Sequence, residues 1–258
     1  MADVTATTRD AVRDLILALA DSKRLLGMRY AGWIPGAPEL EAGIACASMA
    51  QDEWGHGRLL YALLKEFGDD VGHIEHEREP AAYASMDVLD ETPADWPGLV
   101  ALNVLADGAL SAQFEALRES SHAPLRQRVA KLLDEERFHA AHGVAWFRRL
   151  AGGGDETRNA LAAAVRNILP GVTLWFGPDS ERAGLLLSEG IVDAAGPTLR
   201  DRFLSGVAPL LEEIGVTAPG AADFEAFDEA RRRAKPAGPD AALIAQVRGD
   251  KNRVFLLD

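Results

Sequence analysis

The stretch QDEWGHG, residues 51–57, sets a carboxylate and an imidazole three positions apart, at Glu53 and His56. On a helix that spacing turns both side chains to one face. The same Glu-x-x-His spacing returns in DEERFHAAHG as Glu136 and His139, and once more as Glu119 and His122. Two inward Glu-x-x-His motifs on separate helices, joined by single carboxylates from two further helices, make the di-metal carboxylate centre of four-helix bundles. The third occurrence falls in the turn SSHAP and is set aside as a decoy.

Position decides whether such a pair looks at solvent or at a core. Around the first motif, Cys46, Met49, Glu53, His56, Leu60 and Leu63 advance by threes and fours. Around the second, Val129, Leu132, Glu136, His139, Gly143 and Trp146 do the same. Both motifs therefore lie on apolar stripes that face a core. Buried carboxylates without partners are costly, so these groups need one another or a cation.

The remaining ligands should come from two more helices. Asp107 lies on the stripe Val100, Val104, Asp107, Leu110/Ser111, Phe114, and folding at SSHAP brings it level with Glu136. The first helix carries Val12, Ile16, Leu19, Lys23, Leu26 and Tyr30, and folding at GAP brings residue 23 level with Glu53. A lysine stands there where a carboxylate is expected. Its ammonium can replace one cation's charge, its neutral amine can ligate or donate a proton, or its chain can snorkel to solvent. Asp21 lies on another face and is no easy substitute.

The elements that must position these residues are helical throughout. Apolar residues recur at three and four, valine-rich alternation is absent, and the chain reads as all-α. Helices are expected over about 8–32, 38–67, 96 to the SSHAP turn, and 124–150, the last closed by the glycines of AGGGDE. Residues 68–95 read as a long irregular connection. Beyond 155, shorter helices are punctuated by ILPG, FGPDS, EGIVDAAGP and KPAGPD. The expectation is a single domain over 1–258, with a core bundle at about 8–153 and a helical extension at about 156–248 that supplies packing and partner surface.

The 258 residues are 48% hydrophobic and 26% charged, ordinary for a globular chain with a sizeable core. A net charge of −13 and the lack of a large Lys/Arg cluster argue against a nucleic-acid partner. Lone Cys46 excludes an internal disulfide and reads as a small buried hydrophobe. The start MADVTATTRD lacks a leader pattern, no apolar run approaches a membrane span, and a cytoplasmic protein without membrane contact is expected. No dinucleotide fingerprint or cysteine set for an iron–sulfur cluster is present, so redox chemistry here would need an external electron donor. His73 and His76 in GHIEHEREP read as a solvated acidic loop.

GWIPGAPEL, QDEWGHG, LADGAL, DEERFHAAHG and LWFGPDS, in that order, resemble the phenylacetyl-CoA epoxidase family, which includes a catalytic ferritin-like subunit and a non-catalytic paralogue. The resemblance extends to IGVTAP and is nearer the catalytic subunit. It implies a ferritin-like four-helix bundle with additional C-terminal helices. It places the family's non-haem di-iron ligands on Glu53, His56, Asp107, Glu136 and His139, and the sixth ligand, a glutamate, on Lys23. What is implied is an oxygen-dependent monooxygenase or oxidase for an aromatic or acyl-CoA thioester, using O2, a separate reductase, and a paralogous helical subunit or a homodimer. Its altered centre would hold iron as a di-iron, single or asymmetric site, with manganese the other metal considered and Lys23 the candidate catalytic residue. The rival is a non-catalytic assembly subunit with a decayed or single-metal site; metal storage is a third reading that the fold permits.

Overall fold

The computed structural model describes residues 7–255, so the outermost ends of the expected 1–258 domain lie outside the described residues. Helix α1, Thr8–Gly32, opens on a capping box in which the Thr7 hydroxyl accepts from the Asp10 N–H and the Asp10 carboxylate accepts from Thr7 N–H. Every member of its stripe from Val12 to Tyr30, Lys23 included, is buried. After the turn through Trp33–Gly36, α2 runs over Leu40–Tyr61 and tightens into a 3₁₀ turn, Ala62–Phe67, that Gly68 ends at a φ of 90°. α1 and α2 lie close together: a Cβ on Gly27 would stand 2.6 Å from Trp54 Nε1.

The connection expected to be irregular holds a short helix, α3, Val71–His76, capped by Asp70, and two single 3₁₀ turns, Pro80–Ala82 and Asp87–Leu89. Its backbone is tied down by arginines. Arg29 on α1 donates to the carbonyls of Leu89 and Asp90, and buried Arg233 donates to the Ser85 carbonyl and pairs with Asp90 at 2.6 Å. The local sequence does not announce such long-range anchors, which is why a polar, proline-rich run read as loose.

The third bundle helix is not one regular rod. α4, Trp96–Leu102, passes through a π turn at Asn103–Asp107 into α5, Gly108–Ala116. A π turn inserts one residue into the helical register, and such bulges gather at functional sites. Here it delivers Asp107. α6, Ala123–Ala151, begins where the His122 imidazole accepts from Leu125 N–H, so the third Glu-x-x-His is a capping residue and its neighbour.

The C-terminal half wraps this bundle. α7, Asp155–Trp175, packs on α4 and α6; α8, Glu181–Ser188, lies against α1; α9, Gly196–Glu213, lies against α5 and α6. The extension is not helical throughout. Between α9 and α10, Ala241–Arg248, the chain is irregular, held by Arg231 on the Tyr83 carbonyl and Arg232 on the Trp175 carbonyl. Among the described residues there is no β-strand beyond an isolated Asp228/Arg233 bridge, and no helix is long and apolar enough to cross a membrane.

Candidate metal centre

The four stripes meet at one buried point. Lys23, Glu53, His56, Asp107, Glu136 and His139 are each at most 3% exposed. The Lys23 ammonium donates to Glu53 Oε1 at 2.8 Å, Asp107 Oδ1 at 2.6 Å and Glu136 Oε1 at 2.6 Å. One donor from α1 thus gathers carboxylates from α2, the π turn and α6. This overturns the snorkelling reading of Lys23: its stem lies on an apolar stripe deep in the bundle, and the acceptors are inside.

Ligand-type atoms of Glu53, Asp107, Glu136 and His139 all lie within 4.8 Å of one another. His139 Nδ1 is 3.1 Å from Asp107 Oδ2 and 3.2 Å from Glu53 Oε1. His56 stands at the edge of this group, its Nδ1 3.1 Å from Glu136 Oε1 but without hydrogen-bond alignment. All five expected ligands and Lys23 therefore converge, four of the ligands as a tight set and His56 beside them.

Electrostatics make the positions unequal. Burial opposes the charge on Lys23, but Asp107, Glu136 and Glu53 outweigh it and hold its pKa well above the usual lysine value. Three carboxylate oxygens at 2.6–2.8 Å and this raised pKa both favour the ammonium over the neutral amine in this arrangement. Burial pushes Asp107 up, yet Lys23 and then the His139 hydrogen bond override it and keep Asp107 well below the carboxylate range. Glu53 and Glu136 are raised to about 7 by burial and then by the charge of Asp107, against the pull of Lys23. Burial also works against a charged His139, but hydrogen bonds to Asp107 and Glu53 lift it to about 11. His56 is lowered by burial and then by Lys23. The two imidazoles are thus pushed in opposite directions, His139 toward the charged form and His56 toward the neutral one.

Two outer carboxylates, which the motif spacing alone did not pick out, complete the histidines. His139 Nε2 reaches Asp52 Oδ2 at 3.3 Å, and His56 Nε2 reaches Glu135 Oε2 at 2.8 Å. Each immediately precedes a motif glutamate, and each serves the histidine of the other helix. The signal was there: both motifs read acid-Glu-x-x-His. By holding Nε2, these residues turn Nδ1 toward the carboxylates and set which nitrogen is free.

Asp107 has its own support. Tyr30 donates to Asp107 Oδ2 at 2.8 Å and accepts from Asn103 Nδ2 at 2.7 Å. Burial first, then the charge of Asp107, holds the phenol's pKa well above its usual value, so it remains a donor. Asn103 belongs to the π turn, and its Oδ1 lies over Gly143, where a Cβ would come within 1.8 Å. Gly143 is a spacing requirement for this contact, which its place on the α6 stripe alone did not reveal. Ser111 adds a hydroxyl to Glu136 Oε2 at 2.9 Å.

The donor set fits a metal. Glu53 Oε2 and His56 Nδ1 are buried without a hydrogen-bond partner, and both belong to the converging residues. Six further buried side-chain atoms among the described residues also lack a partner, so this pair supports a metal site through its place among converging donors. Oxygen and imidazole donors in one dry cluster, with their far sides held, are the elements of a coordination site. His73 and His76 take no part; both are exposed on α3, His73 against Glu77 at 3.2 Å.

Comparison with known proteins adds the wider context. A family model described as phenylacetic acid catabolic protein matches residues 1–234. The chain is similar to two different subunits of the 1,2-phenylacetyl-CoA epoxidase of Escherichia coli strain K12. To one it is 27% identical over 199 residues, covering 76% of this chain and 64% of the relative. To the other it is 25% identical over 205 residues, covering 79% of this chain and 82% of the relative. The matched part thus spans just under two thirds of the longer of these two relatives.

Proposed function

The chain belongs to the phenylacetic acid catabolic protein family, a family of ferritin-like helical bundles, and on that premise we propose that it is a metal-bearing oxygenase subunit with one metal per chain. In this reading it acts on an aromatic or acyl-CoA thioester, with O2, a separate reductase and a paralogous subunit or second copy as partners. The relatives named as epoxidase subunits support that class.

The observation that carries the reading is the charge balance at Lys23. Three buried carboxylates, Glu53, Asp107 and Glu136, match one divalent cation together with one ammonium. A second divalent cation would leave two positive charges in excess, which a dry site tolerates poorly. Glu53, Asp107, Glu136 and His139 would hold the metal, with His56 at the edge of the set. Bound iron, or manganese in its place, would supply the redox chemistry that activates oxygen.

The chain's own residues do the rest. The Lys23 Nζ donates to three carboxylates at once and would act by fixing and charge-balancing them, since a pKa held well above the usual lysine value makes it a poor proton source. Asp52 and Glu135 keep the imidazoles turned, and binding a metal would release the His139 proton. Tyr30 with Asn103 fixes Asp107, and the apolar stripes exclude water.

Elemental analysis of protein purified without added metal, then reconstituted with ferrous iron, tests this. The expected content approaches one iron per chain, with O2 consumption on an aryl-CoA only when a reductase is supplied. Content that stays near zero after reconstitution would instead favour a non-catalytic assembly subunit, in which the three short Lys23 ion pairs replace the metal outright.

A further inference from the structure

α2 carries three glycines, and two of them are accounted for by this chain. A Cβ on Gly43 would stand 2.8 Å from the Ile34 carbonyl oxygen, and one on Gly57 would stand 3.5 Å from that of Ala20. A Cβ on Gly55 would meet nothing within 4 Å. Its backbone is ordinary helix with no positive φ, so neither packing nor conformation asks for a glycine there. A glycine inside a helix weakens it relative to alanine, and one use that repays this is the close approach of another group. Gly55 is exposed, so that group would come from another molecule.

Gly55 also belongs to a regular pattern. Glu41, Ile44, Ser48, Gln51, Gly55 and Arg58 are all exposed and advance alternately by three and four. That is the a/d repeat of a two-helix seam, here on the solvent face of α2. Run antiparallel against a second copy, such a seam sets a positions opposite d positions. Glu41 then meets Arg58, Ile44 meets Gly55 and Ser48 meets Gln51, each pair occurring twice about the twofold axis. Opposite charges face each other at both ends, Ile44 fills the space over the glycine, and a hydroxyl meets an amide in the middle. Run parallel, the same seam would set Glu41 against Glu41 and Arg58 against Arg58, so the charges select the antiparallel pairing. Neither Glu41 nor Arg58 makes an ion pair among the described residues. Ile44 and, beside the seam, Leu40 are 61% and 75% exposed and supply the apolar area.

We propose that α2 is a homodimer contact, paired antiparallel with α2 of a second copy of this chain about an axis level with Ser48 and Gln51. It rests on the reading above for the need of a partner, and it commits that partner to a second copy. Asp52, whose carboxylate holds His139 and whose side chain is 36% exposed, follows Gln51 directly. The partner helix would therefore also cover this outer edge of the metal centre.

Sedimentation equilibrium of the full chain tests the contact. A dimer with a Kd on the order of micromolar is expected, as suits a short seam. Gly55→Gln should weaken it about a hundredfold by blocking Ile44, and should raise the thermal stability of the monomer, because a good helix former replaces glycine. Arg58→Glu should weaken the dimer about tenfold, and adding Glu41→Arg should restore the parent value, a rescue expected only where the two residues meet. Metal analysis of the same samples separates the two readings: a metal-free dimer supports the contact without the metal centre, and a metal-loaded monomer overturns the contact alone. A monomer at about 100 μM, far above a micromolar Kd, would overturn the proposal, including one that pairs only with a paralogous helical subunit. So would a dimer indifferent to both Gly55→Gln and Arg58→Glu.

Discussion

Asp21 and Lys23 stand two residues apart on α1, both fully buried, and they face opposite kinds of surroundings. Asp21 accepts from Tyr61 at 2.6 Å, from the Ala84 N–H at 2.7 Å and from the Arg78 guanidinium. Arg78 in turn spends its other donors on the Ile74 and Ala82 carbonyls. One carboxylate meets one guanidinium, and every oxygen is used. Lys23 meets three carboxylates at once, with a charged His139 beside them and Glu53 Oε2 left over. The first cluster is closed and fastens the 77–84 connection to the bundle. The second has more ligand atoms than protons to satisfy them, and that surplus is what a cation would use.

Breaking the closed cluster should produce the largest effect on folding. Asp21→Ala leaves Arg78 buried and unpaired, and the expected cost is about 3–5 kcal/mol. Chemical denaturation measures it. The fraction that remains folded should keep its metal content, because Asp21 does not touch the Lys23 cluster. A loss of metal equal to that of a ligand variant would merge two regions that the geometry separates.

Changing the sign at residue 23 sharpens the comparison next. Lys23→Glu removes the competing ammonium and adds a fourth carboxylate, so metal content should rise from one toward two per chain. Without metal this variant should be less stable than the parent, since four buried carboxylates then face one another. If metal analysis of Lys23→Glu returns the parent value, competition by lysine is the wrong account.

The smallest expected effect lies one layer out. Asp52→Ala removes the acceptor on His139 Nε2 and should weaken metal binding about 10–100-fold in a chelator competition. Asp52 is 36% exposed at its side chain, so unfolding should shift by about 1 kcal/mol or less. Equal metal affinity in this variant and the parent would mean that the imidazole is held by packing alone.

Much of this was legible in the chain itself. The stripe through Lys23, those through the two Glu-x-x-His motifs, and that of Asp107 were readable because helical periodicity is local and each stripe spans several turns. The family motifs then ranked the candidates, and Lys23 stood out as the position that breaks the pattern. The π turn at Asn103–Asp107 was not readable, since one extra residue in a helical register leaves spacings that a regular helix also allows. The anchoring of residues 77–90 was equally hidden, because Arg233 and Arg29 act on backbone from distant parts of the sequence.

The sequence alone determined which residues carry chemistry and which helix face each one occupies, because residue type and spacing are properties of the chain. Only the tertiary structure decided what those residues do to one another. That the Lys23 Nζ is held by three carboxylates, and that Asp52 and Glu135 cross to the opposite helix's histidine, follow from distances of 2.6–3.3 Å between separate helices, and the opposite pKa shifts of His139 and His56 follow from their buried surroundings. Protonation in a dry interior is set by those neighbours, and no one-dimensional spacing contains them.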